Sequence, residues 1–326
     1  MRHISLLLFI LVFASAINTA VAQTYGTDRA GTAGFQFTKI AVDPRAAAMG
    51  NSNMADAFDG SSLYWNPALA AKLEGSTLMA SHTAYFVGLN VDYLSYIQKV
   101  GKFAIGGSMQ YLSSGDIIET TEYQQFGTGR VFGTHHVAAG LSVAQEVTDL
   151  FSYGITFKYL VEKIEEVQYG TGAIDFGFSY LVGETGLRFA VGVNNFSPVD
   201  IAPSGSTTQV DGDEVTPEEE MSLPTRFHIG AAYDVLETEN STLVFTAQIT
   251  NPSDNAEQFN IGAEYGFMEQ FFVRTGYEFG NIERKLPSFG AGVLLPVGNN
   301  NVKADYAYTV YERLGGIHRI AISVSL

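Results

Sequence analysis

The sequence predicts an all-β protein: an antiparallel transmembrane β-barrel of about fourteen strands with an N-terminal hatch segment. Three observations support this fold class. Large apolar side chains alternate with small or charged ones over many short runs, which is the period of two that strands show. The connections between these runs are alternately tight and long. Charged residues make up only 16% of the chain, and a wall that faces lipid needs fewer of them than a soluble surface does.

The clearest hairpin lies in residues 257–280. Its first run places large side chains at every second position from Phe259 to Phe267, with Glu264 on the opposite face. Its second run does the same from Phe271 to Phe279, with Arg274 on the opposite face. One such hairpin would also fit a soluble sandwich, but a transmembrane barrel repeats the pattern, with the apolar face toward lipid and the polar face toward the lumen.

Connections of two kinds alternate along the chain from residue 76 onward. Numbering the strands from there, the long or polar connections follow strands three, five, seven, nine and eleven: residues 113–129, 162–168, 197–222, 252–256 and 280–287. Tight connections follow the even-numbered strands. Short turns at one rim and long loops at the other are typical of bacterial outer-membrane barrels, whereas a sandwich has no reason to sort its loops in this way. Two early runs, 78–85 and 87–100, alternate poorly.

The first 22 residues have the features of an export signal. Arg2 supplies positive charge, residues 4–17 are apolar, and Ala20-Val21-Ala22 matches a cleavage site. The apolar run is shorter than the roughly 20 residues that a transmembrane helix requires. We therefore predict a signal peptide over residues 1–22, cleaved after Ala22, and an exported protein.

Residues 23–75 carry no strand pattern and are predicted to form a separate hatch segment, followed by the barrel at residues 76–326. Two proline-containing stretches can each make a short helix, with Asp43 and Asn66 as N-caps. About 45 residues without strands is too long for a simple connection in a compact domain. The segment is therefore either a periplasmic arm or a hatch folded into the barrel mouth.

The charge and the cysteine content exclude several functions. A net charge of −16 repels nucleic acid, so we expect no nucleic-acid partner. The absence of cysteine removes disulfides, thiolate metal sites and a cysteine nucleophile. Acidic residues crowd into residues 211–220, which we interpret as a solvated loop; a site for a divalent cation or a basic partner is the alternative.

Charged side chains of both signs fall on the predicted lumen faces. They are Lys158, Asp175, Arg188, Arg226, Glu264, Arg274, Glu278, Lys303, Asp305 and Arg319. Because they face one another across a narrow lumen, we expect them to form structural ion pairs that fill the barrel. A polar conduit is the alternative interpretation.

His136 and His228 also fall on lumen faces. We interpret them as hydrogen-bonding fillers, because no G-x-S-x-G, H-E-x-x-H or P-loop motif occurs. A barrel hydrolase would need a serine or an aspartate within hydrogen-bonding reach of either histidine. The sequence thus predicts a protein that is not an enzyme and has no catalytic residue, metal or cofactor.

Two stretches of the N-terminal segment, FQFTKIAVDPRAAAMG and SSLYWNPALAA, look like the N-terminal signature of the PorV/PorQ family of Bacteroidetes-type outer-membrane proteins. The matching residues are Phe37, Arg45, Ala46, Met49, Gly50, Tyr64, Trp65, Asn66, Pro67 and Ala68. Later motifs agree in order, among them NNFSP at 194–198, RTGY at 274–277 and DYAY at 305–308. The resemblance covers nearly all of the chain beyond the signal segment.

This resemblance implies a FadL-like barrel of about fourteen strands, located in the cell outer membrane, whose N-terminal segment enters the lumen. It assigns Arg45, Trp65, Asn66 and Pro67 to packing of the hatch. Leu326 is one departure, since such barrels usually end in an aromatic residue.

For function, the resemblance implies type IX secretion, with the protein acting through its long loops as a cargo shuttle or as a scaffold of the cell-surface attachment complex. The implied partners are outer-membrane lipid and secretion-system proteins or secreted cargo. A FadL-like channel for hydrophobic small molecules is the alternative, which the hatch and the shared fold favour.

Overall fold

The structure is a computed structural model that describes residues 29–165, 167–198, 201, 208–210, 213–215, 221–281, 283–298 and 300–326. The predicted signal segment lies outside these residues, and so do the side chains of the acidic stretch 211–220. No helix in the described ranges has both the length and the apolar character that crossing a bilayer requires.

Fourteen antiparallel strands close into a barrel, which confirms the predicted fold class. They are β1 (Ser76–Ala84), β2 (Asn90–Val100), β3 (Phe103–Ser113), β4 (Thr134–Thr148), β5 (Phe151–Ile164), β6 (Val167–Leu181), β7 (Leu187–Phe196), β8 (Arg226–Thr238), β9 (Ser241–Pro252), β10 (Gln258–Phe267), β11 (Phe271–Phe279), β12 (Ser288–Val297), β13 (Asn300–Tyr311) and β14 (Gly315–Ser325). Each strand pairs with its neighbour in sequence, and β1 pairs with β14 to close the sheet. Closure leaves no unpaired edge among these strands.

The two faces of the wall differ as the alternation predicts. In β8, Arg226 and His228 point inward and are buried, while Phe227 and Ile229 point outward and are exposed. The same order recurs in β14, where Ile320 and Ile322 are among the exposed side chains. Large apolar side chains therefore cover the outside of the barrel, as lipid requires.

The two runs that alternate poorly in sequence form β1 and β2. The inner face of β2 carries the buried side chains of Val91, Tyr93 and Ile97, whereas that of β1 carries Met79 among small polar residues. These side chains face inward because they pack against other protein groups inside the lumen, not against water. β2 therefore has large apolar side chains on both faces, and β1 has His82 on its outer face, so neither strand shows the regular alternation.

Two rims can be distinguished by the connections that they carry. The long-loop rim bears the connections 114–133, 197–225, 253–257 and 280–287, whereas two to five residues join the strands at the short-turn rim. The prediction of a long or polar connection over residues 162–168 was wrong, because β5 and β6 stay paired up to Ile164 and Val167. Lys163 and Gln168 face each other as partners in the paired strands, so the polarity of this stretch did not indicate a loop.

Two short hairpins lie within the long connections of this rim. Ile117–Ile118 pairs with Val131–Phe132, and Thr208–Val210 pairs with Asp213–Val215.

Residues 29–75, which we call the hatch, lie inside the barrel. They form a 3-10 helix at Gln36–Lys39, helix α1 at Pro44–Ala48, helix α2 at Ser62–Trp65 and a second 3-10 helix at Pro67–Lys72. The Asp43 carboxylate accepts a hydrogen bond from the amide of Ala46, and the Asn66 side chain accepts one from the amide of Ala68. Both caps satisfy amides that a short helix would otherwise leave without partners.

The hatch runs from one rim to the other. At the long-loop rim, Ala33 forms a backbone bridge to Ser222. At the short-turn rim, the Lys72 ammonium donates to the Glu146 carboxylate at 2.9 Å and to the carbonyl of Asp149 at 2.6 Å. In between, the backbone of Met49 and Gly50 comes so close to Gly276 of β11 that a Cβ at that position would overlap it. The hatch is therefore seated against the inner wall along its whole length.

Candidate functional site

The half of the lumen nearest the short-turn rim is filled by a continuous set of ion pairs. We call it the central ion network, and its members are Arg45, Asp56, Arg188, Asp234, Glu264, Arg274 and Asp305. Arg45 and Asp56 belong to the hatch, and the others belong to five different strands of the wall. The network therefore joins the hatch to the barrel in several directions.

Arg45 is the centre of this network. Its guanidinium binds Glu264 with two hydrogen bonds of 2.9 Å each, and it contacts the Asp56 carboxylate at 2.5 Å. Asp56 also binds Arg188 at 2.7 Å, and Glu264 also binds Arg274. Each carboxylate is thus shared between two guanidiniums, the arrangement in which buried charges are compensated by hydrogen-bonded partners.

The other hatch residues that the resemblance singled out also contact structural partners. The indole of Trp65 donates to the Asp43 carboxylate at 2.7 Å. The Asn66 amide donates to the carbonyls of Met54 and Phe178, each at 3.2 Å. The backbone of Pro67 packs directly against Gly154 in β5. These contacts hold the hatch against its own chain and against the wall.

Four further lumen charges also have ionic partners: Lys158, Asp175, Glu278 and Lys303. Lys158 contacts Asp175 at 2.5 Å, and Lys303 lies 3.9 Å from Asp305. Glu278 binds Arg284 at 3.0 Å. Sequence reasoning missed Arg284 because it lies in a connection, where no alternation indicates which way a side chain points. It also missed Asp56, which lies in the hatch, where there is no alternation either.

A vestibule of about 720 Å³ lies above the hatch at the long-loop rim. Apolar side chains supply one part of its lining, including Phe35, Phe37, Trp65, Tyr85, Phe86, Leu89 and Met221. Polar side chains supply the rest, including His136, Glu162, Arg226, His228, Gln248, Glu278 and Arg319. The lumen is thus packed near one rim and hollow near the other.

Two of the predicted lumen charges in this vestibule have no ionic partner. Arg226 donates to the carbonyl of Thr38 at 3.2 Å and to the Tyr64 hydroxyl at 3.5 Å. Arg319 donates to the Thr309 hydroxyl at 3.2 Å. Among the described residues, no carboxylate lies within ion-pair distance of either guanidinium, although both are buried in the wall.

The two lumen histidines contact a threonine hydroxyl, a glutamine amide and a glutamate carboxylate. His228 is buried and hydrogen-bonds to the hydroxyl of Thr250 at 2.9 Å. His136 stacks near Phe37 and lies 3.6 Å from the Glu162 carboxylate. Within the described ranges, neither imidazole is hydrogen-bonded to a serine or an aspartate. No group of three or more metal-binding side chains occurs in those ranges either.

A second contact, which we call the rim contact, joins the top of the hatch to a loop. The Asp254 carboxylate accepts hydrogen bonds from the Lys39 ammonium at 2.8 Å and from the Gln36 amide at 2.7 Å. Burial raises the pKa of Asp254, but the two donors outweigh burial and hold this pKa below its usual range. The carboxylate therefore stays ionised and bound at neutral pH.

Comparison with known proteins supports the fold and identifies the family. The barrel is similar to the Ralstonia pickettii toluene transporter TbuX, with a TM-score of 0.60, 12% identity, and coverage of 88% of this chain and 98% of that chain. It is similar to the Pseudomonas putida toluene transporter TodX, with a TM-score of 0.56, 11% identity, and coverage of 86% and 96%. A Pseudomonas aeruginosa FadL homologue gives a TM-score of 0.53, 11% identity, and coverage of 87% and 97%. At these identities the likeness shows the FadL-like fold alone.

No relative among the curated proteins matches the sequence. The family model described as "Type IX secretion system protein PorV" matches residues 23–252, which is more than half of the chain. This match, the closed barrel of fourteen strands and the apolar outer wall agree with one another. The chain belongs to the PorV family of type IX secretion system proteins and is an outer-membrane β-barrel.

Proposed function

We propose that this protein acts in type IX secretion as a non-enzymatic interaction barrel, either carrying exported cargo or supporting the attachment complex at the cell surface. The family match makes secretion the first function to consider. The central ion network carries the proposal, because it closes the lumen near the short-turn rim and leaves the long-loop rim as the accessible surface. In bacterial outer-membrane barrels, the long loops are extracellular.

The energetics of the central ion network favour a closed lumen. Opening a path through it would separate Arg45 from both Glu264 and Asp56. Leaving a buried charge without its partner costs about 3–5 kcal/mol. A resting barrel therefore keeps the hatch seated, and contact with a protein partner requires no movement of it.

The loop at residues 114–133 is suited to such contact. Beyond its short hairpin, Tyr123 and Phe126 have exposures of 94% and 102%. Aromatic side chains that stand free of the protein surface are characteristic anchors of protein interfaces. We infer that this loop binds a secretion component or the secreted cargo.

Affinity purification from native membranes tests the proposal. The wild-type barrel should recover secretion-system components or secreted cargo. The variant Tyr123→Ser/Phe126→Ser should recover them at least about fivefold less well, since a lost aromatic anchor costs 1 kcal/mol or more. Leu314→Ser is the matched control, because Leu314 is an exposed apolar residue in another loop of the same rim. Recovery of neither components nor cargo by the wild type would refute the secretion role.

A FadL-like channel for hydrophobic small molecules is the second candidate, and the vestibule favours it. Its apolar lining and its volume of about 720 Å³ suit a small hydrophobic guest. Two of the structurally similar proteins are toluene transporters. Titration of the detergent-solubilised barrel with toluene, followed by the fluorescence of Trp65 in the vestibule, tests this candidate. Saturable binding would support the channel, and the absence of saturable binding would count against it.

A further inference from the structure

Arg319 is buried and lacks a counterion. It lies on the inner face of β14, is 3% exposed and lines the vestibule. Its one hydrogen bond within the described ranges goes from Nη1 to the Thr309 hydroxyl, and its buried Nε–H has no acceptor. A guanidinium in this state costs free energy, because its desolvation is offset by no partner. We therefore expect the Arg319 guanidinium to bind an anion that comes from outside the chain.

The Glu278 carboxylate, which lines the same vestibule, is already committed to other donors. One of its oxygens accepts from Arg284 at 3.0 Å and from Asn51 at 2.9 Å. The other accepts from Asn281 at 3.0 Å. Glu278 is therefore paired with Arg284, and Arg319 has no carboxylate within ion-pair distance among the described residues. A single negative charge would neutralise the Arg319 guanidinium.

Two phenols complete the surroundings of Arg319. Tyr311 follows Thr309 by two positions on the inner face of β13, and Thr309 contacts Arg319. Tyr85 follows Thr83 by two positions, and Thr83 pairs with Arg319 across β1 and β14. Both phenols therefore lie beside Arg319 and line the vestibule.

The phenol hydroxyls are available as hydrogen-bond donors. Neither the Tyr85 nor the Tyr311 hydroxyl makes a hydrogen bond to another described residue. Burial raises the pKa of Tyr85, so its hydroxyl stays protonated. Phe86 stacks on Tyr85 with 4.0 Å between ring centroids and lies 6.4 Å from Tyr311, which places an aromatic surface next to the donors.

We propose that Arg319, Tyr85 and Tyr311 form a binding site for the carboxylate of a small organic monoanion, whose apolar body lies against Phe86. The guanidinium supplies charge-assisted hydrogen bonds and the phenols supply two more donors. One guanidinium without a carboxylate partner matches the single charge of a monoanion. The site does not depend on the proposed role in secretion, because it uses none of the residues of the 114–133 loop.

Tryptophan fluorescence of the intact barrel in detergent tests the site. Trp65 is the only tryptophan of the chain and lines the same vestibule. Titration with 3-phenylpropionate should change its emission in a saturable way, whereas the neutral 3-phenylpropionamide should bind at least about tenfold more weakly. Equal affinity for the two compounds, or no saturation by about 10 mM of the carboxylate, would overturn the proposal.

Two variants assign the effect to Arg319. Arg319→Gln should weaken 3-phenylpropionate binding at least about tenfold, and Arg319→Lys should restore part of it. Arg226→Gln is the matched control, because Arg226 is also a buried vestibule guanidinium without a carboxylate partner but contacts Tyr64 and Thr38. It should leave the affinity within about twofold.

Thermal unfolding separates a binding role from a structural one. Arg319→Gln should melt no lower than the wild type without ligand, because it removes an uncompensated buried charge. It should also lose the rise in melting temperature that 3-phenylpropionate gives the wild type. Retention of that rise in Arg319→Gln would show that the carboxylate binds elsewhere.

Discussion

The two ends of the lumen differ in how their buried guanidiniums are paired. Near the short-turn rim, every carboxylate of the central ion network contacts at least one guanidinium, and Glu264 and Asp56 each contact two. Near the long-loop rim, Arg284 is paired with Glu278, but Arg319 contacts no described carboxylate. The difference indicates that the paired end fastens the hatch, whereas Arg319 is available to a group that comes from outside.

The strongest test of the paired end is Arg45→Ala. This change leaves Glu264 and Asp56 without their shared partner, and we expect it to destabilise the seated hatch by about 3–5 kcal/mol. Conductance in planar bilayers gives the readout, with a closed wild-type barrel and frequent openings in the variant. Lys285→Ala is the control, because it removes an ion pair exposed to solvent, which contributes about 0–1 kcal/mol. If Arg45→Ala stays as closed as Lys285→Ala, the network does not hold the hatch.

The sequence predicted the wall well because the wall has a period. A residue two positions away always faces the same side, so Glu264, Arg274 and Asp305 could be placed in the lumen before any partner was known. Their pairing could not be predicted in the same way. It depends on the register between strands and on Asp56 and Arg45, which lie in a hatch without periodicity.

The lack of information about neighbouring elements also explains two local errors of the sequence-based prediction. The inner face of β2 carries Val91, Tyr93 and Ile97 because the hatch covers it, and the sequence of a strand does not state what covers it. The turn between Ile164 and Val167 was interpreted as a longer connection because charged residues precede it, although these residues are paired within the ladder. The unpaired state of Arg319 is likewise a property of its surroundings, which no local pattern encodes.

A second test asks whether steric fit, and not charge alone, seats the hatch. Gly276→Ala places a Cβ into the backbone of Met49 and Gly50. We expect a loss of about 1–3 kcal/mol, because overpacking against backbone cannot be relieved by a side-chain rotation. Limited trypsin digestion should cleave the hatch faster in this variant, and its melting temperature should fall.

Gly107→Ala is the matched control for this test. A Cβ at Gly107 in β3 would meet nothing nearer than Leu141 Cδ2 at 3.8 Å, which is ordinary van der Waals contact. Its digestion rate and melting temperature should stay close to the wild-type values. Equal behaviour of the two glycine variants would show that the hatch does not depend on close approach to β11.

The smallest expected effect concerns the rim contact, where Asp254 is buried but the Lys39 side chain that binds it stays 24% exposed to water. Asp254→Asn removes the charge that Lys39 binds, and we expect a loss of about 1 kcal/mol or less at pH 7. The pKa of Asp254 is lowered in the folded protein, so its contribution is present above the ordinary value of 3.8 and is lost as the pH falls through the folded pKa. Melting curves of wild type and variant should therefore differ by the same small amount at pH 7 and pH 5 and converge only at more acidic pH. A gap that closes between pH 7 and pH 5 would mean that another titrating group, and not Asp254, fastens the hatch at the long-loop rim.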